Sequence, residues 1–98
     1  MLMEEINQQS NQVKDVINIG NDPVMLTATE VLAKLMIKNE IILKARGQSI
    51  PNAVAVANII TGTMATGVYK IEKIKLDTVA EAGIGNMTST VEIIINKN

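Results

Sequence analysis

Residues 41–54 read IILKARGQSIPNAV, and this stretch joins an alternating segment to a helical one through a glycine. Apolar side chains occupy every second position before the glycine, which predicts a strand with one face on a core. The opposite face of that strand carries two cations, Lys44 and Arg46. After Gly47, Pro51 suits the first turn of a helix entered through Ser49 or Ile50. The stretch therefore predicts a strand, a turn and a helix in succession, with positive charge at the turn.

Upstream of this stretch the sequence predicts another strand and another helix. Alternating residues close at Gly20, which favours a strand over residues 13–20. Apolar residues then recur at helical spacing over residues 21–38, with Asp22 available as a cap and Pro23 in the first turn. One face of this helix is expected to pack on the core.

Downstream, a second helix is followed by two strands that form a hairpin. The second helix, the third strand, the hairpin tip and the last strand are predicted over residues 49–66, 67–79, 80–87 and 88–98. The apolar parity of the third strand changes along its length, which predicts a bulge near Glu72 and Lys73. This order predicts an α/β fold, a two-layer sandwich in which two helices cover one face of a four-stranded mixed sheet.

Composition predicts one domain with an aliphatic core. The 98 residues are 47% hydrophobic but include a single aromatic residue, Tyr69. We expect residues 1–12, which are rich in Asn, Gln and Glu, to form a flexible N-terminal segment, and residues 13–98 to form the domain. Three methionines lie at helical spacing and are expected to fill the core: Met25, Met36 and Met64. The second helix is apolar nearly all round, which favours coverage on two sides and hence a dimer.

Charge and missing residue types exclude several kinds of site. The chain has no cysteine and no histidine, so disulfides, thiolate metal sites and the usual general base are absent. We expect no cofactor, no metal, no small-molecule substrate and no enzyme activity. A net charge of −1 gives no global attraction for a polyanion, so nucleic-acid binding would need a local patch. No apolar run reaches membrane-spanning length, which favours a cytoplasmic protein without a membrane partner.

Two glycine motifs do not support a phosphate site. GTMATG, residues 62–67, has the end spacing of a phosphate loop, but Val68 and Tyr69 stand where Lys and Ser or Thr should follow. Gly83 and Gly85 lack the third glycine and the helix of a dinucleotide site. Neither motif therefore predicts catalysis.

Four segments together resemble the Alba family of archaeal chromatin proteins. They are INIGNDPVM, IILKARGQSIPNAV, KIEKIKL and TSTVEIIINK, and the match runs from about residue 13 to residue 97. The resemblance implies a homodimer that binds nucleic acid through phosphate contacts, with double-stranded DNA as the expected partner and RNA as an additional one. It also implies an association with the chromosome or nucleoid. The implied contacts fall on the loop after the first strand, on the KARG turn and on the residues that follow it, namely Asn21, Lys44, Arg46, Gln48 and Asn52.

Several positions that are basic in the family are neutral or acidic here. Asn21 and Asp22 stand for two lysines, Gln48 and Asn52 for further basic residues, and the hairpin tip carries Glu81. We therefore expect binding that is weaker or more selective than is typical of the family. The alternative is a dimeric interaction or scaffold protein of the same fold that has lost nucleic-acid binding.

Overall fold

The strands and helices form in the order that the sequence predicts. The computed structural model describes residues 15–80 and 87–98. Its elements are β1 (Asp15–Asn18), α1 (Val24–Lys38), β2 (Glu40–Arg46), α2 (Ile50–Ile59), β3 (Tyr69–Ala80) and β4 (Met87–Lys97). The α/β class and the two-layer arrangement are confirmed. The predicted flexible segment, residues 1–12, and most of the predicted hairpin tip, residues 81–86, lie outside the described residues.

The four strands form one mixed sheet in the order β1-β2-β4-β3. β1 and β2 are parallel and are connected by α1, whereas β4 pairs antiparallel with both β2 and β3. The register between β3 and β4 shifts between Ile71 and Lys73, which confirms the predicted bulge. Because of this shift, Ile71 faces Ile95 and Ile74 faces Ile93 on the same side of the sheet.

Aliphatic side chains from both layers form the core between the helices and the sheet. α1 contributes Val31 and Leu35, β2 contributes Ile41 and Leu43, α2 contributes Val56, and β4 contributes Ile93 and Ile95, all buried. Burying one such side chain stabilises a fold by about 1.5–3 kcal/mol. α1 packs over β2, while α2 packs over β2 and β4.

The helix ends differ in two respects from the sequence prediction. α1 begins at Val24, with Pro23 in the cap position in an extended conformation and no capping hydrogen bond from a side chain. The predicted cap at Asp22 was wrong because it lies one residue before the cap position. α2 ends at Ile59 and continues as a π-helical turn over Ile60–Met64, where Thr and Gly are poor helix formers.

The predicted core positions of two methionines were also wrong. Met25 and Met36 are more than half exposed, whereas Met64 is half-buried against the core. The rotation of 100° per residue explains this, since Met36 follows the buried Leu35 and therefore turns away from the sheet. Methionines of α1 thus lie on its solvent side.

Candidate nucleic-acid interface

The carboxyl ends of β1 and β2 lie side by side because these two strands are parallel. Asn18 pairs with Lys44, and one residue further the N–H of Ile19 donates to the carbonyl of Lys44 at 2.8 Å. The loop at residues 20–23 and the turn at Gly47–Ser49 therefore leave the sheet at the same end. Gly47 has φ 57°, a left-handed conformation that glycine adopts without strain, and this turns the chain from β2 toward α2.

Asn52 connects the loop after β1 to the first turn of α2. Its side-chain Nδ2 donates to the carbonyl oxygen of Gly20 at 2.8 Å. The loop residue Asn21 and the turn residue Gln48 are exposed, while Asn52 is half-buried. The structure thus brings Asn52 to the loop that carries Asn21, and it assigns the Asn52 amide a partner within the protein.

Lys44 and Arg46 extend from the open sheet face, defined here as the sheet face opposite the helices. Both are exposed, and both line an open concavity of about 390 Å³ together with Asn18, Thr90 and Glu92. The two cations predicted from the sequence therefore share one concave surface. Asn21, Gln48 and Asn52 are not part of its lining, and they belong to the loop, the turn and the helix at the adjacent end of the sheet.

Glu92 modifies the electrostatics of this concavity. The Nζ atom of Lys44 lies 3.6 Å from Oε2 of Glu92, and the two side chains are 47% and 34% exposed. An ion pair at this level of exposure contributes about 0–1 kcal/mol, so a phosphate can compete with the carboxylate. Lys44 is accessible but partly neutralised.

β3 adds three lysines to the open sheet face that the sequence analysis did not assign to the site. Lys75 faces Glu92, Lys73 faces Ile94 and Lys70 faces Asn96 in the register of β3 with β4. Lys44, Glu92 and Lys75 consequently form a row across β2, β4 and β3. The sequence did contain a pattern that indicates this face for two of them. After the bulge, Lys73 and Lys75 alternate with apolar residues, so their side chains point to the opposite side of the sheet.

Across residues 15–80 and 87–98, no three acidic side chains come together as metal ligands. No helix in that part of the chain is long and apolar enough to cross a membrane.

These features define the class of protein. It is a small two-layer α/β domain, with two helices on one face of a mixed sheet and two cations at the carboxyl end of β2. Residues 15–78 match the family model described as Alba. A protein of Nitrosopumilus maritimus (strain SCM1) named DNA/RNA-binding protein Alba is 35% identical over 92 residues, which cover 91% of this chain and 97% of the relative. The chain belongs to the Alba family.

Solved structures of similar proteins agree with this assignment. Alba from Thermoplasma volcanium superimposes with a TM-score of 0.73 at 33% identity, covering 84% of this chain and 99% of that structure. ALBA1 from Trypanosoma brucei superimposes with a TM-score of 0.68 over 87% of this chain and 70% of that one. Its identity of 17% supports the fold alone.

Proposed function

We propose that this protein binds nucleic acid through phosphate contacts at the end of the sheet where β1 and β2 stop. The observation that carries the proposal is that Lys44 and Arg46 share one exposed concave surface. The name of the relative that is 35% identical, a DNA/RNA-binding protein, supports it. The protein acts by binding rather than by catalysis, and it associates with the chromosome in the cytoplasm.

The five proposed site residues take different roles in this binding mode. Lys44 and Arg46 supply charge-assisted hydrogen bonds to phosphate oxygens. Asn21 and Gln48 are exposed and neutral, and they donate to phosphates or to base edges beside the two cations. Asn52 acts mainly by holding the loop, because its Nδ2 already donates to Gly20.

Binding is expected to be weak and modestly dependent on salt. With two cations from each protomer, a dimer neutralises about four phosphates, which gives a slope of log K against log salt of about −3.6. A protein with six to ten phosphate contacts would give about −5 to −9. The net charge of −1 adds no general attraction.

A homodimer places two such sites in one particle, and an apolar surface supports this assembly. Ile74, Leu76 and Met87 lie on the helix side of the β3–β4 hairpin, yet they are 51%, 75% and 66% exposed. Leu76 lines a concavity of about 480 Å³ together with Ile50 of α2. Val54 of α2 is 41% exposed. We assign this α2–hairpin surface, Ile50, Val54, Ile74, Leu76 and Met87, to the homodimer contact.

A salt-dependent titration with charge-reversal variants tests the function. Duplex DNA and single-stranded RNA are titrated in parallel at several salt concentrations, the lowest of which is about 50 mM. The double variant Lys44→Glu, Arg46→Glu should weaken binding of the preferred nucleic acid at least about tenfold and flatten the salt slope. Absence of saturable binding to either nucleic acid at the lowest salt contradicts the proposal.

A matched control keeps the charge change but moves it away from the site. Lys38 and Lys97 lie at the opposite end of the sheet, where the N–H of Lys97 donates to the carbonyl of Asn39. The double variant Lys38→Glu, Lys97→Glu should retain affinity within about threefold, since only the local patch makes contacts.

The ion pair between Lys44 and Glu92 favours a second candidate function. A protein that kept the fold and the dimer but lost nucleic acid would have its remaining cations neutralised by carboxylates, as Lys44 is in part. Under this scaffold function, the variant Lys44→Glu, Arg46→Glu would dimerise like the wild type and neither protein would bind nucleic acid. The titration above separates the two functions.

A further inference from the structure

A carboxylate occupies the middle of the cationic row on the open sheet face. Glu92 faces Lys44 across β2 and β4, and it faces Lys75 across β4 and β3. A negative charge at this position repels the phosphates that the lysines on either side attract. A surface that binds only phosphate therefore gains nothing from Glu92. A ligand whose edge contains both donors and acceptors, in contrast, requires an acceptor among the donors of the protein.

The ammonium group of Lys44 and the carboxylate of Glu92 stand side by side as a donor and an acceptor. Nζ of Lys44 and Oε2 of Glu92 are 3.6 Å apart, which is longer than the about 2.7–3.2 Å of a direct hydrogen bond. Both side chains are partly exposed, so a ligand can reach them from solvent. An ammonium group donates in several directions, and each carboxylate oxygen accepts. A ligand can therefore accept from Lys44 and donate to Glu92 at the same time.

The Watson–Crick edge of guanine has this order of groups. Its O6 accepts a hydrogen bond, and the adjacent N1–H and N2–H groups donate. Lys44 can donate to O6 while the carboxylate oxygens of Glu92 accept from N1–H and N2–H, which pairs every polar group of that edge. Adenine and cytosine donate from their amino group alone, and uracil sets a carbonyl oxygen against the carboxylate. Guanine consequently fits the Lys44–Glu92 pair best among the bases.

The concavity beside this pair has room for a base. Its volume of about 390 Å³ lies within the about 300–1,000 Å³ of small-ligand sites. Ile19, Ala45 and Val91 contribute to its lining, and the faces of an aromatic ring can lie against such apolar groups. Arg46 also lines the concavity, and its Cα is about 6.7 Å from that of Lys44 in an extended strand. A base held by the pair keeps its phosphate within reach of the long Arg46 side chain.

Only an unpaired base can present this edge to the protein. In a duplex the Watson–Crick edge of guanine is hydrogen-bonded to cytosine, and the grooves expose other edges. Sequence-specific recognition of RNA uses the same edge in unstacked bases of single strands. Lys75 lies beside Glu92 on β3, where it can hold the phosphate of a neighbouring nucleotide. A single strand can thus be bound by one base and by its flanking phosphates.

We propose that the concavity on the open sheet face is a site for one unpaired guanine of a single strand, and that Lys44 and Glu92 select the base. The inference rests on the proposed nucleic-acid binding and adds base selectivity to it. Glu92 lowers the affinity for the phosphates of any nucleic acid, but it raises the preference for strands that contain guanine. Selectivity of this kind does not depend on net charge, which is −1 in this chain.

Fluorescence anisotropy with two short RNA strands tests the proposal. One strand is an oligouridine, and the other has a single guanosine at its centre. Wild type should bind the guanosine strand about tenfold more tightly. The salt slope should be equal for the two strands, because they have the same number of phosphates. Inosine lacks the N2 amino group and should bind about threefold more weakly than guanosine, whereas 7-deazaguanosine keeps the Watson–Crick edge and should bind like guanosine.

Variants of one carboxylate separate base selection from general attraction. Glu92→Gln has the same shape but only one acceptor oxygen, and the two strands should then differ in affinity by less than about twofold. The lost charge changes the attraction for phosphate equally in both strands and cancels in the ratio. The matched control is Glu40→Gln, which removes the same charge from the same face of β2, four residues before Lys44. It should keep the ratio of about ten. Circular dichroism checks that both variants are folded.

Failure of the guanine site and failure of the proposed function give different results. A wild type that binds neither strand nor duplex DNA at about 50 mM salt contradicts the proposed function itself. A wild type that binds both strands equally well keeps the proposed function and overturns the guanine site. The site is also overturned if Glu92→Gln retains the full preference. Binding of 7-deazaguanosine as weak as that of uridine overturns it too, since another edge of the base would then be bound.

Two further ligands identify the source of the guanine. Free guanosine monophosphate should compete at least about a hundredfold more weakly than the strand, because it lacks the flanking phosphates. Equal competition would overturn the role of the strand. The DNA counterpart, an oligothymidine with one central deoxyguanosine, should show the same preference as RNA, since Lys44 and Glu92 contact the base alone. Loss of the preference in DNA would overturn that assignment.

Discussion

Two exposed surfaces of this domain, the open sheet face and the outer face of α1, differ in chemistry. The outer face of α1 comprises the exposed side chains Met25, Leu26, Thr29, Ala33, Met36 and Ile37. The open sheet face carries cations on β2 and β3, with Glu92 between Lys44 and Lys75. The outer face of α1 has no charged residue among its six members. Each surface belongs to one layer of the sandwich, and each has the core of the protein behind it.

The difference shows that one small domain can present a charged and an apolar surface on its two layers without a second domain. The proposed contacts of Lys44 and Arg46 with phosphate should weaken as salt rises, because cations in solution compete for the phosphates. Contacts of Leu26 or Ile37 with an apolar partner depend on the removal of surface from water and respond little to salt. Salt dependence therefore distinguishes what each surface binds, and substitutions can test each one alone.

The largest effect is expected where α1 meets the core. Leu35 is fully buried and Ile37, two residues later, is 77% exposed. Leu35→Ala should lower the free energy of unfolding by about 2–5 kcal/mol, through lost burial and the cavity that remains. Ile37→Ala should lower it by less than about 0.5 kcal/mol, as is usual for surface positions. Urea denaturation of the two variants measures the contrast.

The denaturation is run at low protein concentration, so that association between protomers does not add to stability. A second contrast on the same helix, Val31→Ala against Met36→Ala, should show the same order. Comparable losses at Leu35 and Ile37 would mean that the outer face packs within the folded protomer, and the comparison of the two surfaces would fail.

A smaller effect is expected on the open sheet face from Glu92→Gln. This change removes the carboxylate that lies 3.6 Å from Lys44 and faces Lys75, so both lysines become available to phosphates. Affinity for nucleic acid should rise about three- to tenfold, and the salt slope should steepen by about 0.9 for each additional phosphate that the protein neutralises. Filter binding or fluorescence anisotropy at several salt concentrations measures both quantities.

Glu30→Gln is the matched control, because it removes the same charge from an exposed position of α1, in the other layer of the sandwich. It should leave nucleic-acid affinity within about twofold of the wild type, since exposed charges separated by more than about 10 Å interact little at moderate salt. If both variants raise affinity equally, net charge rather than the open sheet face controls binding.

Local patterns predicted most of the fold. Alternation over residues 41–46 assigned Ile41, Leu43 and Ala45 to the core, and all three are buried. The change of parity in β3 correctly located the bulge between Ile71 and Lys73. The methionines of α1 were misplaced because apolar residues on two sides of a helix fit the core pattern equally well, and only the position of the sheet decides between them.

The candidate site was less predictable, because its residues come from segments that are far apart in the sequence. These are the loop after β1, the stretch from β2 into α2, and the strands β3 and β4. Lys44 and Arg46 were identified from one strand, and their common face followed from the period of two. The proximity of Lys44 to Glu92 depends on the register of β2 with β4, which no local pattern specifies. The hydrogen bond from Asn52 to Gly20 joins residues 32 positions apart and could not be foreseen either.

The smallest effect is expected at Asn52, where the helix layer meets the end of the sheet. Asn52→Ala removes the donor to the Gly20 carbonyl and frees the loop after β1. It should cost about 0.5–1.5 kcal/mol of stability, and it should weaken nucleic-acid binding about two- to threefold by loosening the loop. Asn21→Ala, at an exposed loop position, should weaken binding without changing stability. If Asn52→Ala weakens binding about tenfold or more at unchanged stability, its amide contacts nucleic acid directly, and loop positioning is not its role.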